Sequence, residues 1–173
     1  ERVCLARMDP RQRGLFGAAW ILGYIATLAR TRVEAIALGA PTGPLGVIYR
    51  KTDTKQPYYD ELGSASVYPA FHVVTGLTRA SGHRIVSTIS SDEALVKCLA
   101  YKVKGATILW IANLTANEQS IAVTGHNGGA IFAGILDEDS FAIATTDPRG
   151  FQAGRKHIRD GKLKLKPYAV AFL

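Results

Sequence analysis

The 173-residue chain is 47% hydrophobic and 20% charged, the composition of a folded globular protein, which excludes intrinsic disorder. Its 17 glycines and seven prolines follow no period, which excludes a helical bundle or a low-complexity linker. A net charge of +7 keeps an acidic partner in view until the charges are placed.

The first residues, ERVCLARMDPR, have neither the apolar stretch of a secretory leader nor an initiating methionine, so they read as the interior of a longer protein. A cytoplasmic location is expected. Cys4 and Cys98 show no CxxC spacing and no histidine pattern, which predicts free thiols and neither a zinc site nor a disulfide. Asp9-Pro10 then forms a helix start, an N-cap acceptor followed by a proline whose missing N–H costs nothing there. A helix from about residue 10 to 31 is predicted. Its apolar residues Leu15, Phe16, Ala19, Trp20, Leu22, Ile25, Ala26 and Leu28 cover more than half the circumference, so something must cover both sides. Residues 14–29 are the stretch nearest to a membrane span, but they fall short of the roughly 20 residues needed and include three glycines. A buried helix is expected, with no membrane as partner.

VEAIALG, residues 33–39, has the profile of a buried parallel strand and cannot satisfy its own ladder. The segment from Ala40 to Ser66 reads as one long loop, and a loop of that length after a strand points to function. A second helix over VYPAFHVVTGLTRAS places Val67, Phe71, Val74 and Leu77 on its apolar side and closes with Gly82.

From residue 84 the period becomes two. RIVSTIS, ALVKCLAYKVKG, ATILWIANLT, QSIAVTG, AIFAGIL, SFAIATT and KLKLKPYAVAFL are predicted strands, with turns at Lys104-Gly105, His126-Asn127-Gly128-Gly129 and Asp147-Pro148. They predict an antiparallel sandwich. After Pro167 both faces of the last segment become apolar, Tyr168, Val170 and Phe172 on one and Ala169, Ala171 and Leu173 on the other. One face is expected to fill the sandwich and the other to dock on the helical part.

Helix, strand, long loop and helix, followed by a sandwich, is what remains when a (β/α)₈ barrel is cut after its seventh strand. The fold class expected is thus an α/β remnant, the last βα units of a TIM barrel, plus an all-β antiparallel sandwich. The boundary falls between residues 1–82 and 83–173. Barrel active sites lie on the βα loops. Thr42 and Gly43 at the strand's end and Arg7 on the preceding loop would border the mouth. Tyr49, Tyr58 and Tyr59 are of the type that stacks on sugars, with packing of the loop onto its own barrel as the competing role.

DPRQRGLFGAAWILGYIATLA, VEAIALGAPTGPLGV and VYPAFHVVTGLTRASG, followed by a sandwich ending in LKLKPYAVAFL, resemble the C-terminal third of a glycoside-hydrolase-like barrel protein. Within that group the chain is most similar to the D-apionate lactonase family, over essentially its whole length. The resemblance implies a carbohydrate or sugar-acid lactone as substrate, no cofactor, and catalytic carboxylates at the ends of the fourth and seventh barrel strands. Those positions would lie outside this chain, which would then carry no catalytic residue of its own; the substrate-proximal residues would be Arg7, Thr42, Gly43 and Tyr49. Self-association through exposed barrel helices is expected. A stand-alone sandwich that binds carbohydrate or another partner is the alternative.

Other candidates have simpler roles. Asp137-Glu138-Asp139 leave one turn together, whereas a catalytic pair must face across a cleft, so a solvated turn is expected. His72, His83, His126 and His157 share no metal spacing, and His72 reads as a core histidine. Lys162, Lys164 and Lys166 form a solvated strand face, and Arg155, Lys156 and Arg159 precede it without the interleaved aromatics of a nucleic-acid surface. No nucleic-acid partner is expected. Asn113-Leu114-Thr115 matches a glycosylation acceptor by chance.

Overall fold

The computed structural model describes residues 8–63, 66–126 and 129–173. Asp9 caps a 3₁₀ turn, Pro10–Arg13, by accepting from the Arg11 N–H. The expected single helix is interrupted at Gly14, which is extended, and α1 runs only over Leu15–Leu28. With no cap side chain at Gly14, α1 rests on burial: Ala18, Ala19, Leu22 and Ala26 are inaccessible or nearly so. No helix among the described residues is long and apolar enough to cross a membrane.

Residues 33–39 correct the strand expected there. They form no ladder and are largely exposed, and strand pairing begins at β1 (Ala40–Thr42), which lies parallel to β2 (Gly46–Ile48). An apolar run becomes a strand only where a neighbouring edge offers partners, and none of the described residues does so here. The long loop is also more structured than expected. It holds β1, β2 and α2 (Pro57–Leu62), and an Ile48–Val67 bridge fastens its far end. The second helix, α3, is Ala70–Thr78, with Gly82 in the left-handed region after it.

The remaining chain builds β3 (Ile85–Val86), β4 (Val96–Val103), β5 (Ala106–Asn113), β6 (Gln119–Ala122), β7 (Ile131–Leu136), α4 (Phe141–Thr146), α5 (Pro148–Ala153), β8 (Lys156–Ile158), β9 (Lys162–Leu165) and β10 (Val170–Phe172). The main sheet has the order β3-β4-β5-β10-β7-β8, antiparallel throughout, and β6 pairs with β9 in a second layer. Lys104 and Gly105, both at positive φ, make the tight β4–β5 hairpin the sequence indicates. SFAIATT, in contrast, is α4 and not a strand, and Asp147-Pro148 is no turn but the start of α5. The Asp147 carboxylate accepts from the Gly150 N–H, 2.9 Å away. This is the same cap-and-proline signal that opens the 3₁₀ turn at Asp9. KLKLKPYAVAFL is likewise two strands in different layers, broken at Tyr168, where φ is 54°.

Alternation along the central strands makes two cores. Trp110, Ala112, Val170 and Phe172 face α1 and α3 together with Leu99 and Tyr101; Ile111, Ala169 and Ala171 face Leu163 and Leu165 of β9. Both faces of β10 are thereby buried, as its sequence requires. The helical layer reaches the sheet closely because Gly76 on α3 has no side chain: a Cβ there would collide with the Trp110 indole. The outer edge of α1 is different, for Phe16, Trp20 and Tyr24 lie at helical spacing and Trp20 is 53% exposed.

Candidate functional site

The segment between β1 and α3 folds around a tyrosine cluster. Tyr49, Tyr59 and Tyr68 are buried together, with Phe141 of α4 against them. Tyr59 meets Tyr68 edge-on at 4.7 Å between ring centroids and lies nearly parallel to Tyr49 at 6.0 Å. Every hydroxyl has a destination. Tyr49 donates to Asp60 Oδ1 at 2.7 Å, Tyr68 to Gln56 Oε1 at 2.6 Å, and Tyr59 to the Arg13 carbonyl at 2.5 Å. Tyr58, at the cluster's edge, shares a hydrogen bond of 3.0 Å with Thr145 Oγ1.

Asp60 is the organising carboxylate. Its Oδ2 accepts from the Gln56 N–H at 2.7 Å while Oδ1 accepts from Tyr49. The backbone N–H, and after it the Tyr49 hydroxyl, hold its carboxyl below the usual range. The same contact pushes the Tyr49 hydroxyl up to about 12, because losing its proton beside Asp60 would set two anions together. Burial first, and then the neighbouring hydroxyls, raise Tyr59. Arg13 lies under this cluster, buried, with Nε and Nη2 lacking a partner among the described residues.

Of the residues expected at the barrel mouth, Arg7 lies outside the described residues. Thr42 ends β1 in an exposed position, and Gly43 follows at φ 90°, its carbonyl accepting from the Gly46 N–H at 2.9 Å. Tyr49 follows β2 directly, with its ring inside the cluster and 6% exposed. Arg13, Gln56 and Asp60 were not singled out from the sequence. No local signal separates Arg13 from Arg11 and Gln12 in the same turn, and Gln56 and Asp60 read as ordinary loop residues.

The discarded candidates have structural duties. Lys166 pairs with Glu138 at 2.8 Å and Asp139 at 2.9 Å, and Asp137 accepts from the Ser140 N–H at 3.0 Å. Asn113 is fully buried, so its glycosylation match is closed to modification in the folded chain. Among the described residues no three metal-ligating side chains gather. His72 is 2% exposed, its Nε2 2.8 Å from the Ala144 carbonyl, and burial pulls its pKa below the ordinary value. The native state therefore binds fewer protons at this site than the unfolded chain does. The stability His72 confers is present above about pH 6.5 and is lost as the pH falls through that value toward the lower native one. Urea denaturation at pH 7.5 and 5.5 is expected to show a drop in midpoint that shrinks in His72→Gln; an equal drop in both proteins would refute the assignment.

Residues 1–82 match the family model described as the TIM barrel domain of D-apionate lactonase, and residues 93–173 match the one described as its C-terminal immunoglobulin-like domain. Among solved structures the chain is similar to a GH30 endoxylanase from Clostridium papyrosolvens C71, with 12% identity and a TM-score of 0.54. The match covers 91% of this chain and 36% of the endoxylanase, so the chain spans little more than a third of that protein's length. A conserved exported protein from Bacteroides fragilis matches at 13% identity and a TM-score of 0.44, over 62% of this chain and 22% of that one. A comparison with curated proteins gives no match. The endoxylanase bears on fold alone, and the fold is that of a barrel end joined to a sandwich. Two successive domain models of one family account for the helical part and for the sandwich, and the chain belongs to the D-apionate lactonase family.

Proposed function

We propose that this chain closes the barrel of a carbohydrate-active hydrolase that opens a sugar-acid lactone, and that its sandwich braces that barrel. The observation that carries the reading is the pair of family matches, barrel then immunoglobulin-like domain, laid over a helix–strand–helix unit whose residues 33–39 have no ladder partner among the described residues. Two further features support it. The buried Arg13 guanidinium needs an acceptor that the tyrosine cluster does not offer, since burying an unpaired charge is costly. The aromatic edge of α1 stands where a neighbouring barrel helix would pack.

Opening a lactone requires a water activated by a general base and donors aimed at the oxygen that becomes charged. In this chain Asp60 accepts two hydrogen bonds, and Asp137, Glu138 and Asp139 serve the β7–α4 turn and Lys166. The base is assigned to barrel strands outside the chain, which spans 36% of the length of the endoxylanase it resembles. Thr42, Gly43 and Arg7 are assigned to the rim of the mouth, where they would touch substrate, and Tyr49 to holding the rim in place through Asp60.

The test compares the 173-residue chain with a longer protein containing all eight barrel strands, on aldonolactones and on aryl glycosides. The long form is expected to open lactones and the short form to leave both substrates unchanged. In sedimentation the short form is expected to self-associate through Trp20 and its neighbours. Lactone opening by the short form would overturn the assignment of the base. Glycoside cleavage in place of lactone opening would overturn the substrate, and inactivity of the long form on both would remove the proposal.

A further inference from the structure

The helix α4 belongs to the sandwich by its place between β7 and β8, but its buried side is turned to the helical part of the molecule. Ala144 and Thr145 are fully buried, whereas Ile143 between Ala142 and Ala144 is 46% exposed. The Ala144 carbonyl faces His72 Nε2 at 2.8 Å, and the Thr145 carbonyl accepts from the Val67 N–H at 3.0 Å. The Phe141 ring lies against the tyrosine cluster, 5.3 Å from Tyr58 between centroids. These contacts join residues 93–173 to residues 1–82, across the boundary of the two family matches.

The direction of the hydrogen bond between Tyr58 and Thr145 follows from its surroundings. Thr145 Oγ1 carries one proton and lies 2.9 Å from the Phe141 carbonyl and 3.0 Å from the Ala142 carbonyl, which can only accept. That proton stays within α4, so at 3.0 Å the Tyr58 hydroxyl donates and Thr145 accepts. Tyr58 is 39% exposed and Thr145 has no exposed surface, so the bond is anchored on the sandwich side. A group 87 residues away along the chain thereby holds α2.

From Thr145 a short relay leads to the rim. Val67, held by the Thr145 carbonyl, forms the bridge to Ile48 of β2. The Tyr49 N–H donates to the Ser66 carbonyl at 3.1 Å and the Tyr68 N–H to the Val47 carbonyl at 2.9 Å. Besides Val47, which packs on the helical core, and Tyr49 on Asp60, these are the ties of β2 to the rest of the loop. β1 pairs with β2, is three residues long and exposed throughout, and ends at Thr42 beside Gly43. With so little burial of its own, its position follows that of β2.

We propose that α4 is a clamp through which the sandwich sets the rim of the barrel mouth, with Thr145 as the positioning residue. Apolar bracing is already supplied by β10; α4 adds directional bonds, and directional bonds fix where a loop sits. The consequence for catalysis rests on the lactone-opening reading, whereas the clamp itself does not.

Hydrogen exchange of the 173-residue chain, followed by NMR, tests the clamp without any substrate. In Thr145→Val and in Tyr58→Phe the amides of Tyr49, Val67 and Tyr68 are expected to exchange about fivefold faster, the loss of one hydrogen bond, while Leu109 and Asn113 in the sandwich keep their rates. The double variant is expected to match either single one, because both remove the same bond. Thr145→Ser, which keeps the hydroxyl, is expected to stay within about twofold of the original rates. In the longer protein with all eight barrel strands, Thr145→Val is expected to raise KM for an aldonolactone by about fivefold with kcat within about twofold, since a displaced rim weakens the hold on substrate and transition state alike. Unchanged exchange at Tyr49 and Val67, equal acceleration at Leu109, or a fall in kcat with KM unchanged would overturn the clamp. A longer protein that opens no lactone would overturn the lactone reading, and exchange alone would then decide the clamp.

Discussion

Val170→Asp and Ala171→Asp are each expected to abolish cooperative folding, although the two side chains leave opposite faces of β10. Val170 is fully buried against the helical layer, and Ala171 is fully buried against β9. A carboxylate introduced at either place must be desolvated or neutralised, at a cost of more than about 4 kcal/mol. Against a total stability of about 5–15 kcal/mol for a domain, either change alone suffices. The physical point is that β10 belongs to two cores at once. It pairs with β5 through Ala171–Ile111 and with β7 through Ala171–Ile135, and it holds the helical layer through Val170 and Phe172. Phe172→Ala is a milder form of the same test, with an expected loss of about 3–5 kcal/mol, since the ring stacks on Trp110 at 5.2 Å and meets Phe151 at 5.9 Å. Urea denaturation followed by circular dichroism reads all three. If Val170→Asp unfolds the chain while Ala171→Asp keeps its original midpoint, β10 does not tie the sandwich to the helices.

Asn113→Ala is expected to be the most damaging neutral polar substitution, at about 3 kcal/mol or more. Asn113 is the last residue of β5, with no exposed surface. Its Nδ2 donates to the carbonyls of Asn117 at 2.7 Å, Lys166 at 2.8 Å and Leu165 at 3.1 Å, and its Oδ1 accepts from the Thr115 N–H at 2.9 Å and hydroxyl at 2.8 Å. One amide thus joins the end of β5, the following turn and the crossing from β9 to β10. Alanine takes a donor from all three carbonyls and the acceptor from the Thr115 N–H; Lys166 keeps the Ala169 N–H at 3.0 Å and Asn117 the Thr115 hydroxyl at 3.0 Å, and each buried group left with no partner costs about 1–3 kcal/mol before relaxation. Asn113→Asp is expected to cost at least as much at neutral pH, because an acceptor replaces the donor in front of three carbonyls. Thr115→Val, which removes one hydroxyl from the same network, is expected to cost only about 1 kcal/mol. Chemical denaturation gives the order, and a Thr115→Val loss equal to that of Asn113→Ala would contradict the central role of the amide.

Much of this architecture was legible in the chain before any fold was known. Asp9-Pro10 announces a helical start because one side chain and one ring together solve the problem of free N–H groups. Lys104-Gly105 announces a hairpin because Gly105 takes a positive φ without strain, and the tight turn carries Lys104 there with it. The doubly apolar end of the chain requires a strand with cover on both sides, and β10 has it. What misled was local ambiguity. SFAIATT alternates like a strand, yet over six residues an apolar alternation and a helical face use overlapping positions, and only the packing of Ala144 and Thr145 against the core distinguishes them. Asp147-Pro148 suits a turn and an N-cap equally well, and Gly150, three residues on, decides it.

The candidate sites lie further from what local pattern can reach. Tyr49 as a sugar-stacking ring and Tyr49 as a packed ring have one sequence signature; its burial depends on Tyr59, Tyr68 and Asp60 closing over it. The contact of α4 with the loop needs Tyr58, Val67, Phe141 and Thr145, which no spacing rule relates. Residue types, capping pairs and period by themselves determined that a helical part precedes an antiparallel sandwich, because those signals act over a few neighbouring residues. Which strand faces which core, which tyrosine is covered, and where α4 meets the loop were decided only by the tertiary structure, because burial and hydrogen-bond satisfaction are set by groups distant along the chain.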